Sequence, residues 1–251
     1  MTALGGSPDD SPVGSVDPSV VDATLLHTLG ELDAAVNYRT WILDLARPAL
    51  ASPIIEVGAG HGTFTVELAA HGDVYALEPD PAGYARLVAR TADDPRVRAQ
   101  HGTVESLPSD VPFGSAVMIN VLEHIPDDVA ALRELATRVV PGGGLAIWVP
   151  AFPLLFSAFD RELGHHRRYR RAGLVDVVTR AGWDVEDVYH VNLPGWFSWL
   201  LITRVLRQRP TAGPLVTIFD RQVVPIVRWL ESRVRPPFGQ SLMLIARNPV
   251  R

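Results

Sequence analysis

Within eight residues, Glu56-Val57-Gly58-Ala59-Gly60-His61-Gly62-Thr63 sets a carboxylate, three alternating glycines and the start of a helix. A glycine turn of this kind lets a ligand lie against bare backbone at a helix N-terminus. The spacing separates two kinds of nucleotide site. A dinucleotide turn reads G-x-G-x-x-G and needs a third glycine at position 63. Thr63 stands there, which argues against an NAD-dependent oxidoreductase. Glu56, just before the turn, would repel a pyrophosphate and suits a cationic ligand instead. A second carboxylate, Glu78, ends the apolar stretch 74–77. It follows the turn at about the spacing from which an acidic residue accepts hydrogen bonds from ribose hydroxyls.

A different set of side chains could act on a substrate. Asn120-Val121-Leu122-Glu123-His124 follows the apolar stretch 115–119, and His124 could serve as a general base at the rim of the same pocket. His165, His166, Arg168 and Tyr169 form a second dense polar cluster, with Asp160 placed to orient a histidine or pair with an arginine. Arg168 and Arg167 suit an acidic handle on an acceptor. Plainer readings stay open: His124 as a local cap, and 165–171 as a solvated turn. Adjacent histidines cannot easily face one ion and no further ligand is evident, so no metal site is expected.

The elements that must position these residues alternate between strand and helix, which implies a mostly parallel sheet. A helix is expected over 22–46, then strands at 54–57, 74–77, 97–101, 115–119 and 145–149. Helices near 64–70, 81–91 and 127–139 lie between them, and Pro141-Gly142-Gly143-Gly144 reads as a breaker. A helix near 171–181 and strands near 183–189 and 242–246 complete seven strands. Ligands in such sheets bind beyond the carboxyl ends of the strands. Glu56, Glu78, Thr103 to Glu105 and Asn120 to His124 all fall there. The segment 194–236 is too long for a plain loop and reads as two or three amphipathic helices. Packing over the sheet, a lid, a dimer contact and a membrane-surface patch are all compatible with it.

Composition bounds the rest. The chain has 251 residues, 47% hydrophobic and 20% charged, enough for one substantial core. It lacks cysteine, which excludes disulfides, thiolate zinc sites and cysteine nucleophiles. Residues 1–20, rich in Ser, Pro, Gly and Asp, read as a disordered tail, and 21–251 as one domain. No apolar run is long enough to span a bilayer, and the expected location is the cytoplasm or a membrane surface. Every basic side chain is arginine, with net charge −13 over 1–160 and +8 over 161–251. The acidic N-terminal part argues against a general nucleic-acid binder.

Written as E-x-G-x-G-x-G, the glycine run resembles motif I of the class I S-adenosylmethionine (SAM) methyltransferases. The rest of 37–247 is similar to the ubiquinone-methyltransferase-like bacterial branch of that family. Asn120-Val121-Leu122-Glu123-His124-Ile125 resembles its motif after strand four, and Pro141-Gly142-Gly143 its turn before strand five. The stretches 160–169 and 237–242 look like marks of one subgroup. The resemblance implies an α/β, doubly wound, mostly parallel seven-stranded sheet with helices on both faces and a helical insertion before the last strand.

It also implies SAM as cofactor, its methyl group passing by in-line displacement to a soluble or lipid-linked small molecule. Gly58, Ala59, Gly60 and Gly62 would pass the methionine part, and Glu56 its amino end. Glu78 and Pro79 would hold the ribose, and Thr103, Val104 and Glu105 the adenine. Asn120, Val121 and Leu122 would line the methionine side, and Tyr38 would cover the sulfonium. Catalytic candidates are His124, His165, Arg168 and Tyr169. Two departures stand out: Thr103 follows Gly102 where the family has an acid, and Gly114 follows Phe113 where it often has aspartate. Adenine dimethyltransferases carry N-[LP]-P-[YF] after strand four. Asn120 here lacks that proline and aromatic ring, which disfavours nucleobase methylation. A non-catalytic SAM-binding regulator or scaffold remains an alternative reading.

Overall fold

The computed structural model describes residues 33–206 and 214–250. The tail expected over 1–20 and the beginning of the helix expected over 22–46 lie outside the described residues. Helix α1, Val36–Ala46, leads into the sheet. Alternation then proceeds as β1 Ile54–Val57, α2 Thr63–Leu68, β2 Val74–Glu78, α3 Pro81–Thr91 and β3 Val97–His101. Next come β4 Phe113–Ile119, α4 Asp128–Arg138 and β5 Val139–Pro150. A short helix α5, Ala158–Glu162, precedes α6, Arg171–Arg180, and β6, Asp184–Val191. The insertion holds α7 Leu193–Trp199, α8 Pro214–Ile218 and α9 Val224–Glu231. Wider π-turns at Leu200–Val205 and Phe219–Val223 interrupt it. Strand β7, Ser241–Arg247, closes the fold.

The seven strands run in the order β3-β2-β1-β4-β5-β7-β6. β1 to β5 are parallel to their neighbours, while β7 lies antiparallel between β5 and β6. The order reverses between β1 and β4, so the crevice for a ligand opens beyond their carboxyl ends. Strands buried on both faces need apolar cover on both. One cluster packs α4 and α6 on the sheet through Leu132, Leu135, Leu174 and Val178. The other packs α1, α2, α3 and α9 through Ile42, Leu68, Leu87 and Val227. Among the described residues no helix is long and apolar enough to cross a membrane.

The run 141–144 corrects the sequence expectation. It does not end an element before a fresh strand; α4 stops at Arg138 and β5 begins at Val139. The glycines are drawn into the strand as an irregularity, with Phe113 opposite Val139 and Ser115 opposite Gly144. Close approach explains the demand for glycine. A Cβ on Gly144 would stand 2.0 Å from the Ala49 carbonyl oxygen. Gly144→Ala should therefore force β5 away from the turn at Arg47–Ala49 and cost about 2–4 kcal/mol. Thermal denaturation should show the midpoint lowered by roughly 5–12 °C; an unchanged midpoint would mean the contact relaxes freely.

Candidate active site

A cavity of about 670 Å³ lies beyond the carboxyl ends of β1, β2, β4 and β5. The glycine turn forms one side of it. Gly58, Gly60 and Gly62 all have positive φ, and a Cβ on Gly58 would meet Val121 at 2.6 Å. The turn is held from below by Glu78, whose carboxylate accepts from the backbone N–H of Gly60 at 2.6 Å and of Asp80 at 2.8 Å. Burial raises the Glu78 carboxyl above the usual range. Glu56 is more extreme. It is buried at the end of β1, accepts a hydrogen bond from the Thr65 hydroxyl at 2.5 Å, and is pushed up to about 8 by desolvation. Two carboxylates without a matching cation thus face one end of the cavity.

The outer side of the turn is tied down by a network that sequence reading missed. Thr63 donates to Asp33 at 2.8 Å, His61 approaches the same carboxylate at 3.0 Å, and Arg90 grips it through two nitrogens. Arg90 holds the Asp33 carboxyl well below its ordinary value. Thr63, first read as an absent glycine, therefore has a positive role in fixing the turn.

The far end of the cavity carries His124, His165 and Arg168. The turn after β4 supplies His124, whose ring meets His165 edge-on with centroids 4.6 Å apart. Burial pushes the His124 imidazole down to about 3, so it is neutral near pH 7. Asp160, fully buried on α5, organises the rest. It accepts from the Ser157 backbone N–H and hydroxyl, both at 2.7 Å, from Arg168 Nε at 2.6 Å, and faces His165 Nδ1 at 3.3 Å. Burial would raise its pKa, but the hydrogen bonds from His165, Arg168 and Ser157 outweigh it and hold it at about 2. The Arg168 guanidinium also lies over the Trp199 ring at 4.6 Å.

Most of the sequence-predicted residues converge here. Tyr38, Glu56, Gly58, Ala59, Gly60, Glu78, Pro79, Asn120, Val121, His124, His165 and Arg168 all line the one cavity. Others do not. Tyr169 is buried away from it, donating to Asp128 at 2.8 Å, so its phenol is structural and not placed to act on a substrate. Leu122 is fully buried in the core, and Gly62 caps α2 behind the lining residues. Thr103 and Glu105 bond each other, and Val104 turns into the core. None of these three borders the cavity. Arg167 is held outside it by Asp128 at 2.7 Å and the Pro126 carbonyl at 2.6 Å.

Sequence reasoning missed Trp148, Asn192, Trp199, Phe219, Asp220 and Ser241, all in the lining. Asn192, like Asn120, adopts positive φ at a strand end, a conformation uncommon outside glycine and found at functional turns. Its side chain caps α7 through the Gly195 N–H and donates to Gln240 at 2.9 Å. Of these lining residues, Ser241 falls in the stretch 237–242, and Trp199, Phe219 and Asp220 fall in the segment 194–236 that sequence marked only as an insertion.

Comparison with known proteins agrees with this geometry. Residues 54–143 match the methyltransferase domain family. An uncharacterized methyltransferase of Mycobacterium tuberculosis is 31% identical over 163 residues, 64% of this chain and 60% of the relative. The ubiquinone biosynthesis O-methyltransferase of Aeromonas salmonicida is 31% identical over 112 residues, 43% of this chain and 47% of its own. The chain thus spans about half to three-fifths of the length of these relatives. A SAM-dependent methyltransferase structure from Thermotoga maritima superposes with a TM-score of 0.59 at 16% identity, covering 92% of this chain and 98% of that one. Phosphoethanolamine N-methyltransferase 2 of Haemonchus contortus gives 0.62 at 14% identity, covering 96% and 62%. At such identities these neighbours speak for the fold. With the motif, the matched domain and the sheet order in agreement, residues 54–143 carry a methyltransferase domain, and the chain around them resembles the class I S-adenosylmethionine-dependent methyltransferases in sequence and fold.

Proposed function

We propose that this chain methylates a small, lipid-linked acceptor. One observation carries the methyl-transfer reading. Two buried carboxylates without a cation flank a glycine turn at one end of a cavity whose other end carries polar side chains. The donor set fits SAM: Glu56 offers negative charge to an ammonium, Glu78 offers lone pairs to ribose hydroxyls, and Gly58 leaves room for backbone approach. Bound SAM supplies a sulfonium methyl group open to in-line displacement. The chain's part is to align the acceptor with it and to exclude water. Tyr38 borders the cavity between the two ends, with its ring edge-on to Trp148 at 6.0 Å. His165, beside Asp160 at 3.3 Å, is the group placed to take an acceptor proton, while His124, held neutral by burial, can accept a hydrogen bond. A protein that only held the cofactor would have no use for these groups, which disfavours the scaffold reading.

The insertion supports the lipid-linked half. Its inner face roofs the cavity through Trp199, Phe219 and Val224, and Val224 and Val227 pack on the sheet cluster. Its outer face is apolar at helical spacing: Ile226, Trp229, Leu230 and Val234 are all more than half exposed. Segment 193–236 holds seven arginines and two acids. Both acids turn inward, Asp220 to the α1 backbone and Glu231 to the N–H groups of Asn192 and Leu193. Two of the arginines pair with acids outside the segment, Arg228 with Asp44 and Arg235 with Asp187; an apolar stripe beside the remaining surplus of arginine suits an anionic lipid surface.

Four outcomes are expected. Glu78→Ala should weaken S-adenosylhomocysteine binding by about 1.5–3 kcal/mol in calorimetric titration; unchanged affinity would remove the ribose assignment. Glu56 is protonated in the free protein below about pH 8 and must ionise to hold an ammonium. Affinity should therefore rise between pH 6 and 8, by up to about tenfold per unit, and Glu56→Gln should flatten that slope. The same raised pKa makes the free protein less stable as pH climbs from 4.5 to 8, since the folded state then holds the extra proton. Finally, the chain should sediment with vesicles containing phosphatidylglycerol and not with pure phosphatidylcholine. Trp229→Ser with Ile226→Ser should abolish this; equal sedimentation of the variant would exclude the stripe.

A further inference from the structure

Glu123 has no role in the site as described, yet it is the least accommodated charged residue in it. Its side chain is completely buried, and neither oxygen receives a hydrogen bond from another residue. What it faces is informative. His165 Nε2 stands 3.9 Å from Glu123 Oε1. The other nitrogen of that ring, Nδ1, faces the Asp160 carboxylate at 3.3 Å, an acceptor that favours the tautomer with the proton on Nδ1. In that tautomer Nε2 is an acceptor, and the group it faces is a buried carboxyl whose two oxygens no other side chain holds. His124 closes the triangle: one ligand atom from each of Glu123, His124 and His165 lies within 4.8 Å of the other two. Arg168, the cation beside them, directs its Nε to Asp160.

We propose that Glu123, His124 and His165 form a divalent transition-metal site at the acceptor end of the cavity. Two imidazoles and one carboxylate are a catalytic donor set for zinc, iron(II) and related ions, with positions left open. Asp160 on Nδ1 of His165 is the outer carboxylate that fixes tautomer and ring orientation in such sites. An ion gives the buried carboxyl oxygens and Nε2 one shared partner. Donors bound at about 2.1 Å stand closer together than these do, so small side-chain rotations close the site. The open positions face the cavity, because His124 and His165 both line it. Their natural ligand is a hydroxyl, or two neighbouring hydroxyls, of the acceptor, made more acidic by the ion with its proton passing to solvent. This last assignment rests on the methyl-transfer reading; the metal site itself does not.

The adjacency of His165 and His166 misleads in sequence. His166 bonds the Glu123 carbonyl through its backbone, and the second imidazole comes from forty residues upstream.

The test uses the full chain, stripped with chelator and titrated with Co²⁺ while visible absorption is followed. S-adenosylhomocysteine affinity is measured on the same sample. One Co²⁺ per chain should bind with ligand-field bands. Glu123→Gln and His165→Gln should each weaken binding at least tenfold, and Asp160→Asn by roughly 10–100-fold, with S-adenosylhomocysteine affinity retained as evidence of folding. Absence of the bands, or bands that persist in the Glu123→Gln, His165→Gln double variant, would overturn the site and leave a protonated Glu123 donating to His165. S-adenosylhomocysteine binding without Co²⁺ would spare the transferase reading; Co²⁺ binding without S-adenosylhomocysteine would spare the metal site alone.

Discussion

Negative charge held out of water is the constraint around which this molecule is organised. Glu56, Glu78, Glu123 and Asp160 are all buried at or just beyond the carboxyl ends of strands. Each is expensive to place there unless something compensates. Asp160 is compensated within the chain, by an arginine, a serine and a histidine, and it stays ionised. Glu78 is half-compensated, by two backbone N–H groups. Glu56 has one hydroxyl, and Glu123 has only its own backbone N–H and the field of Arg168. That gradation runs from structure to function. The fully satisfied carboxylate builds the site, and the unsatisfied ones are the places where a cationic ligand gains most.

Much of the fold was legible because parallel strands buried on both faces are written as short apolar runs between breakers. β1, α3 and β3 begin and end where the sequence places them, since Gly, Pro and Asp punctuate them tightly. The glycine turn and Glu78 were legible for a related reason: a ligand held by backbone requires glycine, and ribose requires an acid at a fixed distance. The run 141–144 misled because a proline beside three glycines reads the same in a free turn and in an irregular strand. Only the approach of Ala49 to Gly144 distinguishes them, and that is a contact between distant parts of the chain.

The acceptor end was less legible, and the reason is directional. Spacing gives which residues share a loop, not which way each side chain turns. Arg167 and Arg168 are neighbours, yet one faces Asp128 at the surface and the other is buried on Asp160. Tyr169 looked like a catalytic phenol and is a buried strut. Asp33 with Arg90, and Asp220 with Asn37, join segments 57 and 183 residues apart. Nothing local announces such pairs. The insertion was recognised by length, but its double duty, roof on one side and apolar stripe on the other, follows only from its placement.

Asp220 ties two walls of the cavity together. Its carboxylate accepts from the backbone N–H groups of Asn37 and Tyr38 at the start of α1, at 3.1 and 2.8 Å. Asp220 belongs to the insertion and Tyr38 to α1, and both line the cavity. One carboxylate therefore satisfies N–H groups of the first turn of a helix that lies 183 residues away in the chain. The two walls share that hydrogen bonding, so the shape of the cavity depends on the insertion keeping its seat against α1.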